Sequence, residues 1–339
     1  MTSTPIRVLF CGSFQHYSTT VLQALLHSTA IKIVGVVTTP PRPAGRQQLL
    51  TKTDVHQFAE NQGLPVFYPD NLHQEQVLQD IETQLGHKPE VLFTAGYGKL
   101  LPASWLDFPL LGAVNLHFSL LPKYRGANPA EWALLLGETE TGVTWIEMNP
   151  EFDAGTIIAA APSPITPVDT RETIYDKLYS LGGELSADVL TTYSEFMTSG
   201  TPKTSAADSA LKLHLPPKPQ PGLVGPYAKK LERPDGFVAW AAVIAAIKGH
   251  LSSPNHVSPT LQVILKHLNT QVNSFFLERA HRALAGFPGL WTMIPTANGE
   301  KRLKILTCHL EQQRLVLDQV QVEGKSATKW SDIKHQVQE

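Results

Sequence analysis

Apolar positions in the first 200 residues fall into short unbroken runs separated by amphipathic stretches. Ile6–Cys11 (IRVLFC) is a run of strand length ending at Gly12. Val21, Leu22, Leu25 and Leu26 then recur at helical spacing over 19–27, with Ser18 placed to cap the first turn. Ile31–Val37 is a second β-rich run. The same alternation continues. A helix over 53–62 is stopped by Gly63 and Pro65, a brief strand covers 66–68, and an amphipathic helix over 72–85 ends at Gly86. Strands follow at 91–95 and 113–117. Asn128 and Pro129 open a helix that runs to Leu136 and stops at Gly137. Strands at 141–148 and 156–161 face each other across the turn at 149–155, and Thr170 caps a long helix from Arg171 to about Phe196. Strand–helix–strand repetition predicts an α/β domain, Rossmann-like, with an open, mostly parallel sheet and helices on both faces.

The pattern changes after Ser199. Pro202, Pro216, Pro217, Pro219, Pro221, Pro226 and Pro234, mixed with glycines and lysines, predict an extended linker. A smaller domain follows. It opens with a short strand running into a helix over 237–247 and a second helix from Pro259 to Arg282. The face of that helix is Leu261, Ile264, Leu265, Leu268, Val272 and Phe275. Strand-like runs at 290–294, 303–310 and 315–322 predict a small OB-like β-barrel, a type that often binds nucleic acid or sugar polymers. The expected division is 1–200, a Pro/Lys-rich linker 201–236, and 237–339 with a helical insertion near 251–285.

Composition narrows the classes. The chain has 339 residues, 42% hydrophobic and 17% charged, which fits two globular domains. No apolar run approaches the ~20 residues that cross a bilayer, and Met1–Pro5 carries no basic region ahead of the first run. Cys11 and Cys308 lie far apart and read as two reduced thiols. The expectation is a cytoplasmic monomer with no membrane partner. The net charge of −2 hides an asymmetry: residues 1–200 carry −9 and residues 201–339 carry +7. This suits a polyanion touching mainly the second part, although from charge alone a solvated charged surface is the commoner account. The turn Gly12-Ser13-Phe14-Gln15-His16 lacks the G-x-G-x-x-G of dinucleotide-binding folds, and there is no phosphate-binding P-loop.

The candidate chemistry lies between Asn115 and Gly155. Asn115 and His117 sit two apart on a predicted strand, so both side chains share one face. An amide and an imidazole aimed together suit a reacting carbonyl: one donates to a developing oxyanion, the other accepts a proton from an attacking amine. Asp153, on the tight loop before Gly155, is the carboxylate that would orient them. Taken singly each signal is weak, since a satisfied core histidine and an Asp before Gly in a turn are both common. Ser119 lacks the Gly-x-Ser-x-Gly elbow of a nucleophile. The histidines and cysteines lack ligand spacing, which argues against a metal. Gly96-Tyr97-Gly98 at a strand's end allows close backbone approach to a flat ligand. The stiff loop 39–46, with Arg42 and Arg46, is either a solvated connection or an arm for a phosphate backbone.

The spaced set Asn115-x-His117-x-Ser119-Leu120-Leu121-Pro122, Tyr124-Arg125-Gly126, Thr141-Gly142-Val143-Thr144 and Asp153-x-Gly155 resembles the signature of folate-dependent formyltransferases. The loop Pro40–Arg46, Gly63-Leu64-Pro65-Val66, Tyr227-Ala228-Lys229-Lys230-Leu231, Trp240 and Gly324-Lys325-Ser326-Ala327 are similar to the branch of that family that works on a tRNA. The resemblance implies 10-formyltetrahydrofolate as formyl donor, no metal, and methionyl initiator tRNA as acceptor. It implies Asn115, His117 and Asp153 as catalytic residues. Ser119, Leu120, Leu121, Pro122, Tyr97 and Gly98 would line the folate site, and Arg42, Arg46, Lys52, Lys229 and Lys230 would touch tRNA. The chain departs from the pattern at Gly12-Ser13-Phe14, where the family has Gly-Thr-Pro. It departs again at Gln47-Gln48, where two lysines are typical, and in a longer 250–282 region. The competing expectations are a formyltransferase acting on an amino-sugar nucleotide and a non-catalytic folate- or RNA-binding relative.

Overall fold

The structure, a computed structural model, describes residues 4–44, 47–201, 211–297 and 299–337. Its elements begin with β1 (Ile6–Cys11), α1 (Gln15–Leu26), β2 (Ile31–Val37), β3 (Arg42–Ala44), β4 (Leu49–Thr51), α2 (Asp54–Asn61), β5 (Val66–Phe67), α3 (Glu75–Leu85), β6 (Val91–Ala95), α4 (Ala103–Leu106) and β7 (Ala113–His117). They continue with α5 (Pro129–Leu136), β8 (Glu140–Glu147), β9 (Ile157–Pro164), α6 (Arg171–Ser199), β10 (Lys212–Lys218), α7 (Trp240–Lys248), α8 (Pro259–His267) and α9 (Ser274–Ala283). The chain closes with β11 (Leu290–Thr296), β12 (Gly299–Glu311), β13 (Arg314–Val322), β14 (Thr328–Lys329) and α10 (Trp330–Ile333). Two compact units result. One is Met1–Ala127, Glu140–Pro164 and Tyr175–Ala228; the other is Asn128–Thr139, Ile165–Ile174 and Lys229–Glu339.

The first unit holds an eight-stranded sheet in the order β10-β9-β8-β7-β6-β1-β2-β5. Strands β5, β2, β1, β6 and β7 run parallel, and β8, β9 and β10 add antiparallel neighbours. Both faces of the parallel part are covered, as unbroken apolar strands require. Leu9, Cys11, Leu92 and Ala113 pack on one face with Ile81 of α3 and Trp105 of α4. On the other, Leu116 meets Gly182 of α6, and Gly183 meets Val21 and Ala24 of α1. From β1 the chain builds toward β5 on one side and, from β6, toward β7 on the other. The carboxyl ends of β1 and β6 therefore form a topological switch point.

Two elements of this unit differ from the sequence expectation. Helix α1 starts at Gln15, so Ser18 lies inside it rather than capping it. The fully buried Ser18 Oγ accepts from Phe14 N at 3.0 Å and donates to Ala95 O at 2.7 Å, tying the turn after β1 to the end of β6. The segment expected to be wholly linker supplies β10, paired antiparallel with β9 through Lys212↔Ala160 and Leu213↔Ala159. Pro216 and Pro217 are tolerated there because β10 is an edge strand. Pro202 lies outside the described residues.

The second unit joins an antiparallel sheet, β11-β12-β13-β14, to helices α5, α7, α8 and α9. All eight residues of α5 are buried. Asn128 precedes Pro129 as expected, but its side chain does not cap the helix. Its Oδ1 accepts from Leu231 N at 2.8 Å and its Nδ2 donates to Glu131 at 2.9 Å. The single long helix expected from Pro259 is two helices. Asn269 takes a left-handed φ of 48°, and Asn273 caps α9 by accepting from Phe276 N at 2.9 Å. Phe276 is consequently buried and Phe275 exposed. Helix α9 lies against β12 and β13, so the 251–285 region contributes to the core of this unit.

Candidate active site

Strand β7 carries the first two groups. Its register with β6 is parallel, Thr94↔Asn115 and Ala95↔Leu116, so Asn115 shares a face with Thr94, Ala113 and His117. Thr94 Oγ1 donates to Asn115 Oδ1 at 2.5 Å. With its oxygen engaged, the amide's NH₂ is left for an incoming oxygen. Thr94 is the single polar residue of VLFTA, and a polar side chain in register with Asn115 was a readable signal that sequence reasoning missed.

His117 is buried between two acceptors. Its Nε2 lies 3.0 Å from the Tyr124 carbonyl oxygen and its Nδ1 lies 3.5 Å from Asp153 Oδ1. A carbonyl and a carboxylate only accept, and a neutral imidazole has one N–H to give, so taking up a proton completes the donor set that both neighbours call for. The imidazole is 5% exposed and the carboxylate 9%. Burial by itself would raise the Asp153 pKa. The His117 charge and hydrogen bond, the Gly126 N–H and the Arg125 charge together outweigh burial and hold it below the ordinary carboxylate value.

Asp153 gets there by an unusual route. Strand β8 leaves the sheet beside the beginning of β7, at Glu147↔Val114, yet Asp153 sits near His117 at the end of β7. The connection to β9 therefore folds back along the face that bears Asn115. Asp153 adopts a left-handed φ of 52°, and Gly155 packs so closely on Glu147 that a Cβ would overlap the Glu147 carbonyl oxygen. Only glycine fits there.

A second loop, 118–126, closes the other side. Ser119 Oγ donates to Lys123 O at 2.7 Å, and Thr144 Oγ1 donates to Ser119 O at 2.6 Å while accepting from Leu121 N at 3.1 Å. The Leu121–Pro122 bond is cis, Tyr124 has a φ of 60° and Gly126 one of 124°. Gly126 N donates to Asp153 Oδ2 at 2.9 Å, joining this loop to the first. Gln220, which no sequence signal marked, also reaches both loops. Its Oε1 accepts from Arg125 Nε at 2.9 Å and Nη2 at 2.7 Å, and its Nε2 donates to Asp153 O at 2.9 Å and Gly155 O at 2.7 Å.

The remaining expected residues are placed as follows. Ser119 is fully buried with its hydroxyl inside the turn, and Leu121 packs with Ile146 and Ile157. Leu120 lies against Gly142, and Pro122 is half-buried. The Tyr97 ring enters the cluster of Leu9, Cys11, Leu101 and Trp105; its hydroxyl is buried without a hydrogen-bond partner, and burial pushes its pKa up. Gly98 is exposed with a φ of 73°. Ser13 N and Oγ donate to Gly96 O and Tyr97 O at 3.1 and 2.5 Å, bridging the switch point. Arg42 is exposed at the start of the β3–β4 hairpin, whose other strand bears exposed Leu49 and Leu50. Arg46 lies outside the described residues. Lys52 is half-exposed and paired with Glu60 at 2.7 Å. In the second unit, Lys229 lies 3.3 Å from Asp235 and Lys230 is exposed. Among the described residues, no group of three His, Cys, Asp or Glu side chains could hold a metal ion, and no helix is long and apolar enough to cross a membrane.

Comparison with known proteins gives the family. The sequence profile of the formyl transferase family matches residues 5–190, more than half of the chain. The chain belongs to the formyl transferase family. Its relatives include a methionyl-tRNA formyltransferase of Staphylococcus epidermidis, 30% identical over 333 residues and matched over 98% of this chain and 97% of the relative. One from Listeria innocua is 41% identical over 184 residues, 54% of this chain and 57% of the relative. Among solved structures, an N-formyltransferase from Helicobacter canadensis, crystallised with folinic acid and dTDP-3-aminofucose, superposes with a TM-score of 0.52 at 17% identity. It covers 90% of this chain and 89% of its own. A sugar N-formyltransferase from a Shewanella species gives 0.51 at 16% identity, over 91% of this chain and 99% of its own. At these identities the likeness is one of fold.

Proposed function

We propose that this formyltransferase moves a formyl group from 10-formyltetrahydrofolate to the α-amino group of methionyl initiator tRNA, giving formylmethionyl-tRNA for translation initiation. The observation that carries the reading is Asn115, held by Thr94 on the same strand face as the His117 that pairs with Asp153, in a chain that matches a methionyl-tRNA formyltransferase over nearly its whole length. The donor, when bound, supplies the formyl carbon. The Asn115 amide, its oxygen held by Thr94, donates to the oxyanion that forms as the amine attacks. The His117–Asp153 pair takes up the proton the amine loses, the carboxylate stabilises the protonated ring, and that proton would pass to the donor nitrogen as its bond to the formyl carbon breaks and tetrahydrofolate leaves. Features that fit a flat heteroaromatic with polar edges are the unpartnered Tyr97 hydroxyl and the exposed backbone at Gly98. Ser119 and Leu121 would act through the shape of their loop, since the Ser119 hydroxyl bonds within it and Leu121 packs on Ile146 and Ile157.

Arg42 on its hairpin, Arg46 and Lys52, with Lys229 and Lys230 of the basic second half, are the residues assigned to tRNA phosphates. Of these, Lys52 would have to exchange Glu60 for a phosphate. An acceptor screen tests the whole reading. With 10-formyltetrahydrofolate as donor, charged initiator tRNA should be formylated well ahead of charged elongator tRNA, and nucleotide-linked amino sugars should not react. Formylation of an amino sugar with none of methionyl-tRNA would transfer the chain to the sugar branch. No transfer to any acceptor would make it a binding relative.

A further inference from the structure

Gln220 lies 65 to 95 residues from its partners, yet every hydrogen-bonding position of its side-chain amide is engaged within the active site. Both amide hydrogens go to carbonyls of the Asp153 loop, and the amide oxygen takes two N–H groups of Arg125. The two loops it ties are the ones whose oxygens flank His117: Asp153 Oδ1 toward Nδ1, and Tyr124 O at Nε2. A further tie between them is the Gly126 N–H to Asp153 Oδ2. Both loops hold residues at left-handed φ, Asp153 at 52° and Tyr124 at 60°, a conformation that side-chain-bearing residues keep only when their surroundings impose it. We propose that Gln220 is a positioning residue for formyl transfer, an amide clamp that fixes the Asp153 and Tyr124 loops on either side of the His117 ring. This rests on the formyl-transfer reading of the site. It gives the segment that follows β10 a role in catalysis beyond connecting the two units.

The chemistry of the clamp selects the variants. Gln220→Leu keeps the approximate volume and loses all four bonds. Gln220→Glu keeps an acceptor for Arg125 but turns a carboxylate toward two carbonyl oxygens, so it should release the Asp153 loop alone. Both should retain the wild-type circular dichroism and melt cooperatively. Both should lower kcat by roughly 10- to 100-fold, as expected when a base is misplaced rather than removed, with KM for donor and tRNA changed less than about 2-fold. In an Asp153→Asn background, Gln220→Leu should cost little more, because the clamp works through a group already disabled. A readout without substrate is the ¹³C NMR titration of the Asp153 carboxyl group, whose midpoint should move up toward the ordinary carboxylate value in both variants. Normal kcat in Gln220→Leu, full additivity with Asp153→Asn, or an unmoved Asp153 titration would each overturn the proposal. So would a wild-type-like Gln220→Glu, which would reduce Gln220 to an anchor for Arg125. A wild-type enzyme that formylates no tRNA would sink the functional reading instead, and the carboxyl titration would still decide on the clamp.

Discussion

At the scale of single residues, Asn115 and His117 share a face of β7 but have different partners, and their variants should separate accordingly. Asn115→Ala removes a donor aimed at the oxyanion and should lower kcat by about 100- to 1000-fold. His117→Ala removes the proton acceptor and should lower kcat at least ~100-fold, with thermal melts close to wild type. Steady-state kinetics on charged tRNA checks both; unchanged turnover would remove that residue from the mechanism. Asp153 makes a prediction about pH. Its folded pKa is depressed, because His117, Gly126 and Arg125 outweigh the opposing effect of burial. The stabilisation from its ionised form is therefore fully present above the unfolded carboxylate value of about 3.9 and is lost as pH falls through the lower folded value. In denaturant titrations from pH 7 to pH 2, the advantage of wild type over Asp153→Asn should hold down to about pH 4 and shrink below it. An advantage that grows in acid would mean the carboxylate is destabilised in the fold. Thr94 completes the residue-scale view: a polar side chain in an apolar strand could be found by asking what lies beside it in a parallel register.

At the scale of elements, the hairpin β3–β4 makes the sharpest prediction. Arg42 is exposed there beside exposed Leu49 and Leu50, and its charge adds to burial in lowering the pKa of Lys99, another cation. Arg42→Ala should weaken tRNA use and reduce the slope of log KM against log salt by about one phosphate's worth of counterion release. A variant with an unchanged slope would show that the hairpin does not touch the backbone. Lys52→Ala should change the slope less, since Glu60 already neutralises that ammonium. Elements set by short-range pattern were legible in the sequence: β1, β2, β6 and β7 as apolar runs, and α2 and α3 with their Gly63 and Gly86 stops. The Asn115, His117 and Asp153 set was legible only through its long spaced motif. What stayed hidden depends on partners far along the chain. β10 is a strand because β9 offers it an edge, and Gln220 matters because four groups 65 to 95 residues away converge on it. The break between α8 and α9 is a local exception, where a continuous apolar period masked two asparagines able to end one helix and start the next.

At the scale of the whole molecule, the composition change near residue 200 invites a cut there, and the structure argues that the cut would fail. The second unit includes Asn128–Thr139 and Ile165–Ile174, both of which a 1–200 fragment would retain without the 229–339 chain they pack with. Helix α5 is buried on all sides, with Trp132, Leu134, Leu135 and Leu136 inside, and it packs on α8 and α9. The nearly inaccessible Glu131 carboxylate is held by Arg171 at 2.8 Å in the same environment. Exposing such a helix uncovers apolar area worth roughly 25 cal/mol per Å² and leaves an ion pair in a disrupted setting. The same cut removes β10 from the sheet edge and Gln220 from the active site. A 1–200 fragment should therefore run as an aggregate by size exclusion and lack a cooperative thermal transition. A 1–228 fragment should regain β10 and the clamp yet still aggregate through α5. The full chain should be soluble and active under the same conditions. A monomeric 1–200 fragment with a sharp melt would show that α5 finds its burial within the first unit, and that the boundary read from composition is the physical one.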